Sequence, residues 1–197
     1  MRRRTIILLS MSMMMGAGAL MISAQDNTAS PLLPAPAGFT VTNGDQFLSL
    51  RQMGMGDFIT AARPNVNASG VTDESSLVSL SYGWMKVPGA EQQVESEAQA
   101  PEEPEAISGT GIKSEPAGKL RYKGGVLTWR KFTSLMVGGQ GASSAASSAT
   151  YEVNWKAAAS GRLLTVKISN IRASKEAGQV WVDVCIAKLT AAASGAD

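Results

Sequence analysis

The sequence predicts a mainly β chain: an antiparallel β-sandwich or partly open barrel of about six to eight strands, with at most one short helix and a disordered acidic insert. Three observations carry that expectation. Over residues 151–189 apolar and polar side chains alternate, with Tyr151, Val153 and Trp155 opposed to Glu152, Asn154 and Lys156, and Leu164, Val166 and Ile168 opposed to Thr165, Lys167 and Ser169. The same two-residue period, the mark of a half-buried strand, returns over residues 76–86, where Val78, Leu80, Tyr82 and Trp84 share one face. Over residues 119–132, two alternating runs flank Gly124-Gly125, a pair suited to the positive φ angles of a type I′ hairpin turn.

The elements follow in order. Residues 1–24 read as a secretory signal peptide, with Arg2, Arg3 and Arg4 ahead of an uncharged apolar run and Ser23-Ala24 as small residues for cleavage before Gln25. Two variants of this reading are a twin-arginine export signal and an uncleaved anchor, the apolar run lying at the lower limit for spanning a bilayer. No cysteine lies near the cleavage point, which excludes a lipid-modified N-terminal cysteine. Residues 25–38, with Pro31, Pro34 and Pro36, read as an exposed tether. A single β-rich domain then occupies residues 39–190, interrupted by two segments. Residues 88–118 are rich in Glu, Pro, Gln and Ala and poor in large apolar side chains, and are expected to be disordered. Residues 138–150 are a Gly/Ser/Ala loop, and residues 191–197 a flexible tail.

Within the domain, residues 39–42 suggest a strand that turns at Asn43-Gly44. Asp45 is placed to cap a short helix over residues 46–53 that Gly54 would stop, although residues 46–50 as a return strand are an alternative. Residues 63–73 read as loop. In the hairpin, a Gly124-Gly125 turn sets Tyr122 opposite Leu127 and Leu120 opposite Trp129. It gathers Lys119, Arg121, Lys123 and Arg130 on the other face beside Thr128, with Lys131 nearby. Val180, Val182, Val184 and Ile186 form a last strand, with Asp183 and the sole cysteine, Cys185, inside it.

Composition excludes much chemistry. The 197 residues contain no histidine, which removes Ser-His-Asp and Cys-His catalysis and every metal site that depends on imidazole. One cysteine cannot form an intramolecular disulfide, so an exported chain must rely on its core, to which a 44% hydrophobic content contributes. No catalytic residue, metal site or cofactor is assigned. Met53-Gly54-Met55 resembles a thioether pair for Cu(I), and Asp73-Glu74 a calcium corner, but loop or core packing accounts better for the first, and capping or plain solvation for the second. Asp183 is read as an outward-facing or ion-paired residue, against a general acid.

Charge supplies the positive hypothesis. Without the three N-terminal arginines the chain has 15 basic and 16 acidic residues, yet residues 25–116 carry 4 and 12 while residues 117–197 carry 11 and 4. The hairpin cations Lys119, Arg121, Lys123, Arg130 and Lys131 are the candidate ligand-binding residues, suited to an acidic polysaccharide or envelope polymer in the periplasm or outside the cell. The opposed −8 and +7 totals raise the further expectation that the acidic insert folds over this face and competes with ligand. Nucleic acid is not an expected partner, a membrane is expected only through an uncleaved signal segment, and no protein partner is specified. The function expected is an exported non-catalytic binding module or structural component of the cell envelope. One alternative is a carboxylate-dependent enzyme acting on glycans. Another is a self-assembling envelope subunit pairing through edge strands, residues 180–189 among them.

Overall fold

Long alternating runs joined by short turns pair with their sequence neighbours, and here they build one antiparallel sheet. The computed structural model describes residues 33–42, 47–66, 69–135, 149–172 and 174–194. The strands are β1 (Thr40–Val41), β2 (Gly56–Val66), β3 (Thr72–Lys86), β4 (Ala106–Ile107), β5 (Ile112–Tyr122), β6 (Gly125–Ser134), β7 (Thr150–Ala159) and β8 (Arg162–Ile171). They run in the order β1-β2-β3-β8-β7-β6-β5-β4, and the short strands β1 and β4 end an open sheet. Three helices accompany it: α1 (Leu48–Gln52), α2 (Ala90–Gln99) and α3 (Lys175–Ser194). The fold is mainly β and antiparallel as expected, but helices rather than a second sheet cover its faces.

Adjacent residues of one strand show the two faces. Leu127 and Leu164 belong to the main core with α3, whereas their neighbours Val126 and Leu163 pack with Ala90 and Val94 of α2. The α3 face holds Tyr82, Trp155, Val166 and Ile168, all nearly inaccessible.

The expected last strand is a helix. Val182, Cys185, Ile186 and Leu189 are buried, a spacing of i, i+3, i+4 and i+7, while Val180 and Val184 stay exposed. Residues 180–189 therefore offer no strand for exchange between subunits. Asp183 and Cys185 lie on this helix, which continues through residue 194 where a flexible tail was expected.

The acidic insert is ordered. Ala90 and Val94 anchor α2 on Val126 and Leu163, and residues 112–118 belong to β5. Local composition counted few apolar residues but not the preformed sheet surface that those few meet. Residues 63–73 are likewise not all loop: β2 reaches Val66 and β3 begins at Thr72, with a bulge between Pro64 and Asn65 on an edge that β1 covers only at Ala61 and Ala62.

The β5–β6 hairpin keeps its predicted faces but shifts its turn by one residue. Lys123 and Gly124, with φ of 46° and 74°, form the loop, and Tyr122 pairs with Gly125 and Leu120 with Leu127. A one-residue move of the turn changes each partner by two, which preserves face identity. Gly125 pairs with Ala157 in the ladder, where only glycine fits: a Cβ there would lie 2.2 Å from the Lys156 carbonyl oxygen.

The end of the expected tether is packed rather than exposed. Leu33 is buried, Tyr82 Oη donates to the Pro34 carbonyl at 2.6 Å, and Phe39 meets Trp181 edge to face. The Arg63 guanidinium stands 5.7 Å and 5.1 Å from those two ring centroids. The short helix is present and Gly54, with φ of 62°, follows it, but its N-cap position is Phe47 without a side-chain cap. The signal segment, residues 25–32 of the tether, the Asn43-Gly44 turn with Asp45, residues 138–148 of the Gly/Ser/Ala loop and residues 195–197 lie outside the described residues. Among the described residues no helix is long and apolar enough to cross a membrane.

Candidate functional site

Alternation on four neighbouring strands places a polar surface on the α2 face of the sheet. One direct cross-strand row runs Lys119 (β5), Thr128 (β6), Asn154 (β7) and Lys167 (β8). Arg130 and Glu152 pair across β6 and β7 beside this row, and Val126 and Lys156 pair on its other side.

The acidic segment 95–105 lies against these cations. Arg121 Nη2 donates to both carboxylate oxygens of Glu95 at 2.7 Å, Lys156 Nζ to Glu97 at 2.7 Å, and Arg130 Nη1 to Glu103 at 2.9 Å. Lys119 Nζ donates to the carbonyls of Glu97 and Ala100 at the C-terminal end of α2, where a cation complements the helix dipole. At the sheet edge Lys113 bridges Glu105 and Glu115. The hydrogen bond from Arg121, then that from Gln99, holds the Glu95 carboxyl below the usual range. These contacts are mostly exposed, with Glu103 83% and Glu95 49% accessible, so each contributes little alone.

The expected cations are thus divided. Lys119, Arg121 and Arg130 share the α2 face, whereas Lys123 sits in the turn and pairs with Asp183 of α3 at 2.8 Å. That bond raises the Lys123 ammonium above its ordinary value. Lys131, one residue beyond Arg130, alternates to the opposite face and bonds Glu115 at 3.0 Å. Asp183 also accepts from Tyr122 Oη at 2.7 Å, the ion-paired role expected for it. Lys156 and Lys167 were absent from the expected set, although the alternation of β7 and β8 already placed them on the polar face.

Between sheet and segment lies a cavity of about 590 Å³, lined by Lys119, Arg130, Lys156 and Lys167 and by Glu97, Glu102, Glu103 and Glu152. Four cations face four carboxylates. Burial pushes the Glu152 carboxyl up, but hydrogen bonds from Asn154, Lys167 and Ser169 outweigh it and hold the group below its usual value. Glu102 has no ion pair or hydrogen bond among the described residues.

The other candidates lie away from this face. Cys185 is fully buried, and burial pushes its thiol up to about 12. Asp73 Oδ1 accepts from the backbone N–H and hydroxyl of Ser75, and Oδ2 from Arg172, which is turn capping and ion pairing. Met53 and Met55 are exposed. Among the described residues no group of three or more His, Cys, Asp or Glu side chains could hold a metal ion. Comparison of the chain with protein-family models, curated proteins and solved structures finds no match.

Proposed function

We propose that this chain is an exported, non-catalytic binding module of the periplasm or the cell exterior that takes an acidic polysaccharide or envelope polymer on the α2 face of its sheet. One observation carries this reading. Lys119, Arg121, Arg130, Lys156 and Lys167 converge on that face, and four of them are held by carboxylates and carbonyls of a single contiguous segment, residues 95–103. Such a segment occupies the positions that the anionic groups of a polymer would take. Val94 and Ala90 keep α2 docked, while the ion pairs of Glu95, Glu97 and Glu103 exchange one by one with the anionic groups of a polymer, the segment itself staying over the face.

The test is retention of the full chain on a polyanionic resin at neutral pH and low salt. The variant E95Q/E97Q/E103Q removes the competing charges without deleting the strand residues that a larger excision would take. The variant is expected to elute at higher salt than the wild type. Failure of both proteins to bind, with their circular dichroism intact, refutes the reading.

A carboxylate-dependent enzyme acting on glycans is the second reading, favoured by the four glutamates around one cavity. Three of them are ion-paired, and Glu152 is held low, whereas a general acid needs a raised value. Release of reducing ends from acidic oligosaccharides, lost in E102Q, would establish catalysis instead.

A further inference from the structure

We infer that the cavity beneath residues 97–103 recognises a hydroxylated acidic ligand, a segment of about two uronic-acid units laid across the strands, and discriminates against polyphosphate. The inference rests on the polyanion-binding reading and names its ligand class. The floor supplies the argument. Lys119, Thr128, Asn154 and Lys167 stand in one row over four strands. Three inter-strand steps of about 4.8 Å set the two lysine backbones roughly 14 Å apart, with a hydroxyl and an amide between them. A cavity of about 590 Å³ falls within the range of roughly 300–1,000 Å³ typical of small-ligand sites.

The walls decide the chemistry. A site made for a simple polyanion would carry only donors, but here Glu152 lies beside Lys167 and Glu102 is left without a partner among the described residues. An ionised carboxylate only accepts: Glu152, with three donors already, has acceptor capacity left, and the exposed Glu102 exchanges water for a ligand donor. Sugar hydroxyls supply donors all round the ring; a polyphosphate, which at neutral pH has none along its chain beyond a partly protonated terminal group, meets like charge instead. The ligand's carboxylates meet Lys119 and Lys167, displacing from Lys119 the carbonyls of Glu97 and Ala100. Its ring hydroxyls bond Thr128 and Asn154 on the floor and donate to Glu152 and Glu102.

Isothermal titration of the full chain with digalacturonate, maltose and tripolyphosphate tests this. Digalacturonate is expected to bind, and the other two probes to bind at least about tenfold more weakly, as expected when a charge-assisted or obligatory hydrogen bond is missing. Lys167→Gln, at a half-exposed side chain, is expected to weaken digalacturonate about tenfold, and the near-isosteric Thr128→Val about fivefold. Tripolyphosphate or maltose binding as tightly as digalacturonate overturns the inference, as does indifference to both substitutions. If the polyanionic resin retains the chain but digalacturonate does not bind, this inference falls and the broader reading stands. If neither binds, both fall.

Discussion

The pair Val182 and Val184 offers a test of the α3 packing with chemistry held constant. A strand would point both side chains to one face. The helix instead buries Val182 completely and leaves Val184 39% exposed. Val182→Ala deletes two carbons from the main core, about 1.6 kcal/mol of transfer free energy at about 0.8 kcal/mol per methylene, and a residual cavity raises this to about 2 kcal/mol. Val184→Ala should stay within about 0.5 kcal/mol, because alanine's better helix propensity offsets the small loss of contact. Leu189→Ala, deleting three carbons at a side chain only 1% exposed, should cost about 3 kcal/mol. Urea unfolding followed by circular dichroism reads these differences. Thermal midpoints should fall by about 4–8 °C for Val182→Ala in a chain of this size, and by no more than about 2 °C for Val184→Ala. Equal destabilisation by the two valine substitutions would refute the helical packing.

Further outcomes follow from single contacts. Asp57 is fully buried and is paired with Arg51 of α1 at 2.8 Å; Arg51→Ala leaves that carboxylate uncompensated and should cost about 3 kcal/mol in urea melts. Cys185, with its thiol raised to about 12 inside the core, should resist maleimide labelling at pH 8 in the folded chain and react at once in denaturant. Glu152 is held below its ordinary value in the fold, so its stabilisation is complete above the unfolded carboxyl value of about 4.3 and disappears as pH falls through the lower folded value. The stability gap between wild type and E152Q, measured by urea melts from pH 6 to 3, should therefore narrow on the acid side; a gap independent of pH would show that Glu152 acts through packing alone.

Much of the architecture was legible because a strand reports its buried face locally. Val78, Leu80 and Tyr82, then Val153 and Trp155, then Leu164, Val166 and Ile168 were all assigned to the face they occupy. The β5–β6 faces were likewise legible, while the turn position was not. Gly124 and Gly125 suit a type I′ turn equally well in isolation, and in the assembled sheet Gly125 is a ladder residue packed so close to β7 that a Cβ would meet the Lys156 carbonyl. For the site, alternation assigned Lys119, Arg121 and Arg130 to one face, but Lys131, adjacent in sequence to Arg130, could not share it. Lys156 and Lys167 were legible as polar-face residues and became part of the site only when β7 and β8 were set beside β6.

By itself the sequence determined the β character, the unequal charge of its two halves and the exclusion of imidazole chemistry, because composition and two-residue alternation are local properties. Tertiary structure alone decided the rest. Residues 180–189 satisfy both periods, since β-branched alternation at Val180, Val182, Val184 and Ile186 coexists with the helical spacing of Val182, Cys185, Ile186 and Leu189. An apolar sheet face that needed cover selected the helix. The acidic segment lacked apolar residues enough to fold alone, and gained order from Val126 and Leu163 beneath Val94 and from cations on strands up to about 60 residues away in sequence. Whether such a segment folds depends on the surface it meets, and that surface exists only once the strands have assembled.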